Sequence, residues 1–465
     1  GVANYTLKAN GTSINTAAAT ASYAFNHTNI TGNQNYELEV TQGTTTIVKK
    51  FTAVVSPTVV SQTIPAGLVD GINYNPNDAT KATLVLDAPL KDFVYVAGSF
   101  NNWQPTAAYA MKKDASAGST KFWLELTGLT AGTNYTYQYW VVDQTPLAGS
   151  PSLVKAADPY STLVLSPYDD GWIPATSFPN LPAYPSGQER EVTWFKTGQT
   201  PYAWSQATLN FEKPAKEKLV VYEVLVRDFD ARRNFQDLID KIDYFKNLKV
   251  NAIQLMPVME FEGNESWGYN TSFHMALDKF YGTPEKLKEL IDLYHQNGIA
   301  VILDVALNHA FGRNSMVRMW MNDPDGDGFG SPTTENPYFN TVAKHSYSVG
   351  EDFNHQQART KNYVKRVIKQ RVEEFKIDGF RWDLTKGFTQ NAQGSDAQTN
   401  AYQQDRVDVL KEYADYSWFL DPTHYVIFEH LGTDAEEKQW ADYRINDPIS
   451  KGIMTWGKMT DEYNE

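Results

Sequence analysis

From residue 219 onward, short apolar runs alternate with amphipathic stretches, and this alternation restricts the fold more than any other feature of the chain. Strand-like runs occupy 219–226, 251–258, 299–307, 377–384, 424–429 and 453–456, and helical periodicity fills 235–248, 284–297, 362–375 and 403–419. Strand and helix in regular succession specify a parallel β/α architecture. Polar residues gather at the carboxyl ends of several different strands, where a barrel builds its site, whereas an open doubly wound sheet concentrates a site at one switch point. The expected fold is multidomain, with a (β/α)8 TIM-type barrel over 216–465. No G-x-G-x-x-G or P-loop follows any strand, which argues against a nucleotide enzyme.

Within these runs, a few side chains are costly unless they have work to do. Arg381 and Asp383 lie two apart on a strand pattern and so share a face. A carboxylate on the inner side of a strand loses hydration and needs a neighbouring cation, which Arg381 supplies. The pair reads equally as an oriented catalytic acid or as a structural ion pair. Asp304, Asn308 and His309 close the third run, and Glu429 and His430 close the fifth. Trp267-Gly268-Tyr269-Asn270 places aromatics in the loop after the second run, where they can stack on a flat ligand. Each has a plain alternative: a buried strand-end acid, a structural histidine, a helix-capping acid, loop packing.

Taken together, Asp-Val-Ala-Leu-Asn-His, Gly-Phe-Arg-Trp-Asp-Leu-Thr-Lys, Ile-Phe-Glu-His and Trp-Gly-Tyr-Asn resemble the α-amylase family of glycoside hydrolases, over roughly residues 216 to 465. The resemblance implies Asp383 as nucleophile, Glu429 as acid/base and Arg381 as the orienter of the nucleophile. It implies that Asp304, His309 and Tyr269 line the subsite of the attacked glucose, with Trp267, Lys386 and His430 as further substrate contacts and Asn308 as a calcium ligand. The run Leu255-Met256-Pro257-Val258-Met259-Glu260 is more similar to branching and debranching members.

Cleaving an acetal with retention requires one carboxylate to attack the anomeric carbon and another to protonate the leaving oxygen, about 5 Å apart. Arg381 is expected to depress the pKa of Asp383, and burial beside a second carboxylate to raise that of Glu429. Two departures from the family pattern stand out. No Asn-His-Asp-type segment carrying the family's third carboxylate follows Glu429, and only about six barrel strands fit before Glu465, so the chain reads as incomplete at its carboxyl end, with a missing segment of the same protein as a partner. Gly387 follows Lys386 where many amylases have His.

Asp323, Asp325 and Asp327 alternate with Pro324, Gly326 and Gly328 in a pattern resembling a calcium loop, although position 12 is Thr334 and no helix clearly flanks it. Calcium and a solvated acidic turn are equally good readings of it; no organic cofactor is expected.

Upstream, residues alternate between polar and apolar with frequent Gly and Pro, as in β-sandwiches. The expected division is an immunoglobulin-like domain at 1–58, a second sandwich at 59–166, a linker at 167–215 and the barrel at 216–465. The second sandwich resembles a starch- and glycogen-binding module, in which Trp103 matches a sugar-stacking residue. A core or interdomain role competes for Trp103, because no second Trp follows in 143–150.

The 55 acidic against 41 basic residues give a net charge of −14, which disfavours nucleic acid and anionic membranes but leaves a neutral glucan indifferent. No cysteine is present, and no apolar run approaches the 18 or so residues that a membrane span needs. An extracellular, periplasmic or cell-surface location is expected for an enzyme of polymers. The reading is a retaining α-glucan hydrolase acting on starch, glycogen, pullulan or malto-oligosaccharides; a branching-type transglycosylase and a glucan-binding protein with an inactive barrel are its rivals.

Overall fold

The structure is a computed structural model that describes residues 1–449 and 451–456; Ser450 and 457–465, which fall within the expected barrel, lie outside the described residues. Its central element is a six-stranded parallel sheet: β1 Val221–Val224, β2 Ala252–Leu255, β3 Ala300–Val305, β4 Gly379–Trp382, β5 Tyr425–Phe428 and β6 Met454–Thr455, each paired with the next in chain order. Order without reversal is that of a barrel wall wound in one direction. Among the described residues β1 and β6 each pair on one side only, so the expected eight strands are represented here by six.

Strand periodicity sorts the core into two faces. Ala252, Ala300, Ile302, Tyr425 and Ile427 cluster on one, with Phe211, Leu219, Val221 and Met454. Ile253, Leu255, Val301, Leu303, Val305, Phe380, Val426 and Phe428 point the other way, into the layer of helices. Helix Pro284–Gln296 shows how the sequence sets its ends: Pro284 occupies the first turn, and the Thr283 side chain accepts from Lys286 N–H at 3.1 Å.

The amino-terminal region is all β, with two corrections to the expected division. Residues 3–53 form a single antiparallel sheet, not a two-sheet sandwich. Its buried core is only Leu7, Ala9 and Tyr36, and Ile47 and Phe51 on it are exposed. Beyond it, two sheets (one of Gly71–Tyr74, Ala82–Asp87, Lys121–Leu126 and Lys112–Lys113, the other built around Tyr135–Val142) bury Leu84, Phe122, Val96 and Tyr139 in one core. The segment expected as a linker supplies Val192–Phe195 to the second of these sheets, against Tyr135–Val142 and Val164–Leu165.

Candidate active site

Register decides which polar groups meet. Asp304 lies opposite Arg381, and Arg381 opposite Ile427, so the three side chains share one face of the sheet. The ladder runs one step further, Asp383 N–H donating to the Val305 carbonyl at 3.1 Å and Glu429 N–H to that of Trp382 at 3.0 Å. Asp383 and Glu429 therefore emerge side by side on the face of Arg381, at the carboxyl end of the sheet.

The Arg381 guanidinium then bridges all three acids. Nη1 donates to Asp304 Oδ1 and Oδ2 at 3.0 and 2.9 Å and to Asp383 Oδ1 at 2.9 Å, while Nη2 lies 3.2 Å from Glu429 Oε2. Side-chain exposure rises outward along the series, 0% for Asp304, 15% for Asp383 and 28% for Glu429. Asp304 is thus the buried anchor of Arg381, and the other two acids face outward.

Each outward acid has a second restraint. Asn308 Nδ2 reaches Asp383 Oδ2 at 3.3 Å and its backbone carbonyl at 3.2 Å. Asn308 Oδ1 faces His309 Nδ1 at 2.6 Å, His309 Nε2 faces the Tyr269 carbonyl at 2.6 Å, and the Tyr269 hydroxyl donates to Asp304 Oδ2 at 2.8 Å. Burial pulls His309 down to about 4 against the pull of the Tyr269 carbonyl. Glu429 Oε2 accepts the Leu384 N–H at 2.9 Å, an orientation obtained by holding Leu384 in the left-handed region at φ 43°. Thr385 N–H and Oγ1 both donate to the Glu429 carbonyl. Leu384 and Thr385 carry no sequence signal beyond following Asp383, and sequence reasoning passed over them.

One electrostatic expectation reverses. Burial pushes Asp383 up to about 6; Arg381 pulls it down and Glu429 pushes it up again. The physical reason is burial first, which one guanidinium shared among three carboxylates does not offset. For Arg381, burial opposes the charge, but Asp304 and its other neighbours outweigh it and hold the pKa above its ordinary value.

The remaining expected site residues divide. Trp267 is exposed beside Tyr269, and Gly268 between them has φ 93°, where a Cβ would sit 2.3 Å from the Pro257 carbonyl oxygen. Lys386 Nζ donates to Asn400 Oδ1 at 2.7 Å and lies over Tyr347. His430, expected at the substrate, is buried: Nδ1 lies 3.1 Å from Thr385 Oγ1 and Nε2 2.7 Å from Glu436, which also takes Arg406. Glu429, next to it in the chain, faces outward, and alternation turns His430 the other way. Trp103 is 9% exposed and packs with Phe93, Tyr95 and Trp140, so its indole has no face for a sugar. Asn308 commits both ends of its amide to Asp383 and His309. Asp323, Asp325 and Asp327 do bring carboxylate oxygens within 4.8 Å of one another, although Asp323 also accepts the N–H groups of Gly326 and Gly328. At Gly387 a Cβ would lie 3.1 Å from both Asn308 Cβ and His345 Nε2, so a larger residue there would press on both buried side chains.

A family model described as the alpha amylase catalytic domain matches residues 227–448. A malto-oligosyltrehalose trehalohydrolase of Saccharolobus solfataricus is 33% identical over 188 residues, covering 39% of this chain and 30% of its own. Alpha-amylase 3 of Dictyoglomus thermophilum is 27% identical over 271 residues, covering 52% and 50%. Among solved structures, apo pullulanase from Paenibacillus barengoltzii is similar in fold, with TM-score 0.55 at 19% identity over 78% of this chain and 53% of that one. The chain thus spans half or less of the length of these curated relatives.

Proposed function

We propose, from the match of residues 227–448 to the alpha amylase catalytic domain, that this chain is an alpha-amylase-family glycoside hydrolase and that it cleaves α-glucans with retention of configuration. The observation that carries this reading is the single guanidinium of Arg381 joining Asp383 to Glu429 at the carboxyl end of β4 and β5. Glu429 donates its proton to the glycosidic oxygen while ionised Asp383 attacks the anomeric carbon, giving a glycosyl ester and a free chain end. Glu429 then takes a proton from water, which attacks the same carbon and releases Asp383. Asn308 and Arg381 hold the Asp383 carboxylate for attack, and the Leu384 N–H fixes Glu429. Tyr269 and Trp267 supply aromatic surface to the sugar.

Soluble starch, glycogen and pullulan, each assayed for reducing ends with wild type and Asp383→Asn, test this reading. Wild-type release that falls at least about 10³-fold in the variant supports it. Loss of iodine colour without new reducing ends would assign the same machinery to glycosyl transfer, and no turnover at all would leave a binding protein.

Calcium at Asp323, Asp325 and Asp327 is part of the proposal, supported by the closeness of three hard oxygen donors. A melting temperature that falls on chelation and recovers with Ca²⁺, but not in Asp325→Asn, is the expected result. A location outside the cytoplasm suits polymeric substrates, and fractionation of the source cells checks it.

A further inference from the structure

Trp172 is 80% exposed and Trp267 61% exposed. Among the described residues, neither indole stacks on another ring, lies beneath a cation or uses Nε1 in a hydrogen bond. Two large apolar surfaces left in water contribute nothing to folding, and such patches mark places where something binds.

Trp172 comes from outside the segment matched by the family model, yet its turn is fastened across the loops that follow β1, β2 and β3. Asn234 Nδ2 donates to Ser177 Oγ at 3.0 Å, Asn264 Nδ2 to the Asp169 carbonyl at 2.9 Å, and Arg313 pairs with Asp169 while lying 4.4 Å from the Tyr168 ring. Lys279 Nζ lies 3.4 Å from Asp170, whose other oxygen accepts the Ser166 N–H. Asn264 belongs to the same loop as Trp267 and Tyr269, and that loop is tied back by Asn270 Nδ2 to the Glu262 carbonyl at 2.7 Å. One hydrogen bond, Asn264 to Asp169, thus stands three residues from each exposed indole. Tyr269 connects the same loop to Asp304 and hence to the catalytic acids.

We propose that Trp172 and Trp267 form an aromatic platform for α-linked glucose chains, extending the sugar-binding face beyond Tyr269. The inference rests on the α-glucan reading above and deepens it. Indole faces suit the apolar faces of glucose rings, and the surrounding Asp169, Asn264 and Glu265 present acceptors and a donor to hydroxyl groups, a combination that matches a neutral polyol better than an apolar protein surface. Anchoring on three loops keeps the platform in place before the ligand arrives, which lowers the entropy of binding a flexible chain.

Titration of maltoheptaose into Asp383→Asn, with and without Trp172→Ala, by calorimetry tests the platform without turnover. The alanine variant is expected to bind about two- to tenfold more weakly, with Trp172→Phe recovering part of the loss. In the active protein, KM for soluble starch should rise relative to KM for maltotriose. Equal maltoheptaose affinity in the presence and absence of the indole would overturn the platform. The two claims fail separately: a wild type that turns over no α-glucan contradicts the catalytic reading, yet loss of maltoheptaose binding on removing Trp172 would still uphold the platform.

Discussion

At Asp383, burial and the need for an ionised nucleophile pull in opposite directions. Its pKa rises from 3.8 to about 6, so the folded state binds a proton more tightly than the unfolded one. For this group, stability is fully present below the unfolded value and is lost as pH rises through about 6. Asp383→Asn is therefore expected to melt higher than wild type at pH 8, by at most about 3 kcal/mol, with the gap narrowing at pH 4.5; calorimetry at the two values checks it. The loss of activity on acidification should follow the same apparent pKa in kcat/KM. Gly387 gives a second prediction. Gly387→Ala presses on His345 and Asn308 by a few tenths of an ångström, and because Asn308 holds Asp383, kcat should fall; in a His345→Ala background the same change should cost less, read by steady-state kinetics. That Asp304, Arg381, Asp383 and Glu429 meet was readable because charged residues at strand ends demand partners. The inward turn of His430 and the burial of Trp103 were not, since both depend on which neighbours tertiary packing supplies.

At the scale of elements, strands and helices beyond residue 219 follow the periodicity closely, with β1 to β6 each inside the run expected for it. Lys241 divides the first expected helix into Phe235–Asp240 and Ile242–Leu248, a break that amphipathic spacing does not reveal. Loops carry the least sequence signal, and Gly268 is the exception, since Trp-Gly-Tyr marks a turn. Gly268→Ala meets the Pro257 carbonyl at 2.3 Å with φ 93°, so the loop bearing Trp267 and Tyr269 must move. We expect KM for soluble starch to rise and kcat to fall while the melting temperature drops by only a few degrees, read by steady-state kinetics and thermal melts.

Across the whole molecule, the second β region and the parallel sheet share one continuous buried core. Trp320 Nε1 donates to the Pro89 carbonyl at 3.0 Å, Arg359 pairs with Asp87 at 2.9 Å, and Tyr160 meets Tyr363 edge-on. The first sheet has a small core of its own and touches the rest through a few bonds, such as Asn33 Nδ2 to the Pro105 carbonyl at 2.8 Å. Deleting residues 1–53 should leave the main calorimetric transition in place, whereas deleting 59–215 should abolish cooperative folding. Composition marked the β character of this region, but Val192–Phe195 was hidden in a Pro-rich stretch that reads as a linker, because only long-range pairing makes it a strand.

Incubating the protein with a fluorinated α-glucosyl fluoride, which slows hydrolysis of the glycosyl ester, and mapping the adduct by peptide mass spectrometry reads out whether Asp383 is the nucleophile. One added fluoroglucosyl group is expected on the peptide carrying Asp383 and none in Asp383→Asn. An adduct on Glu429 or elsewhere, or turnover of α-glucan with inversion and no adduct, would contradict that role.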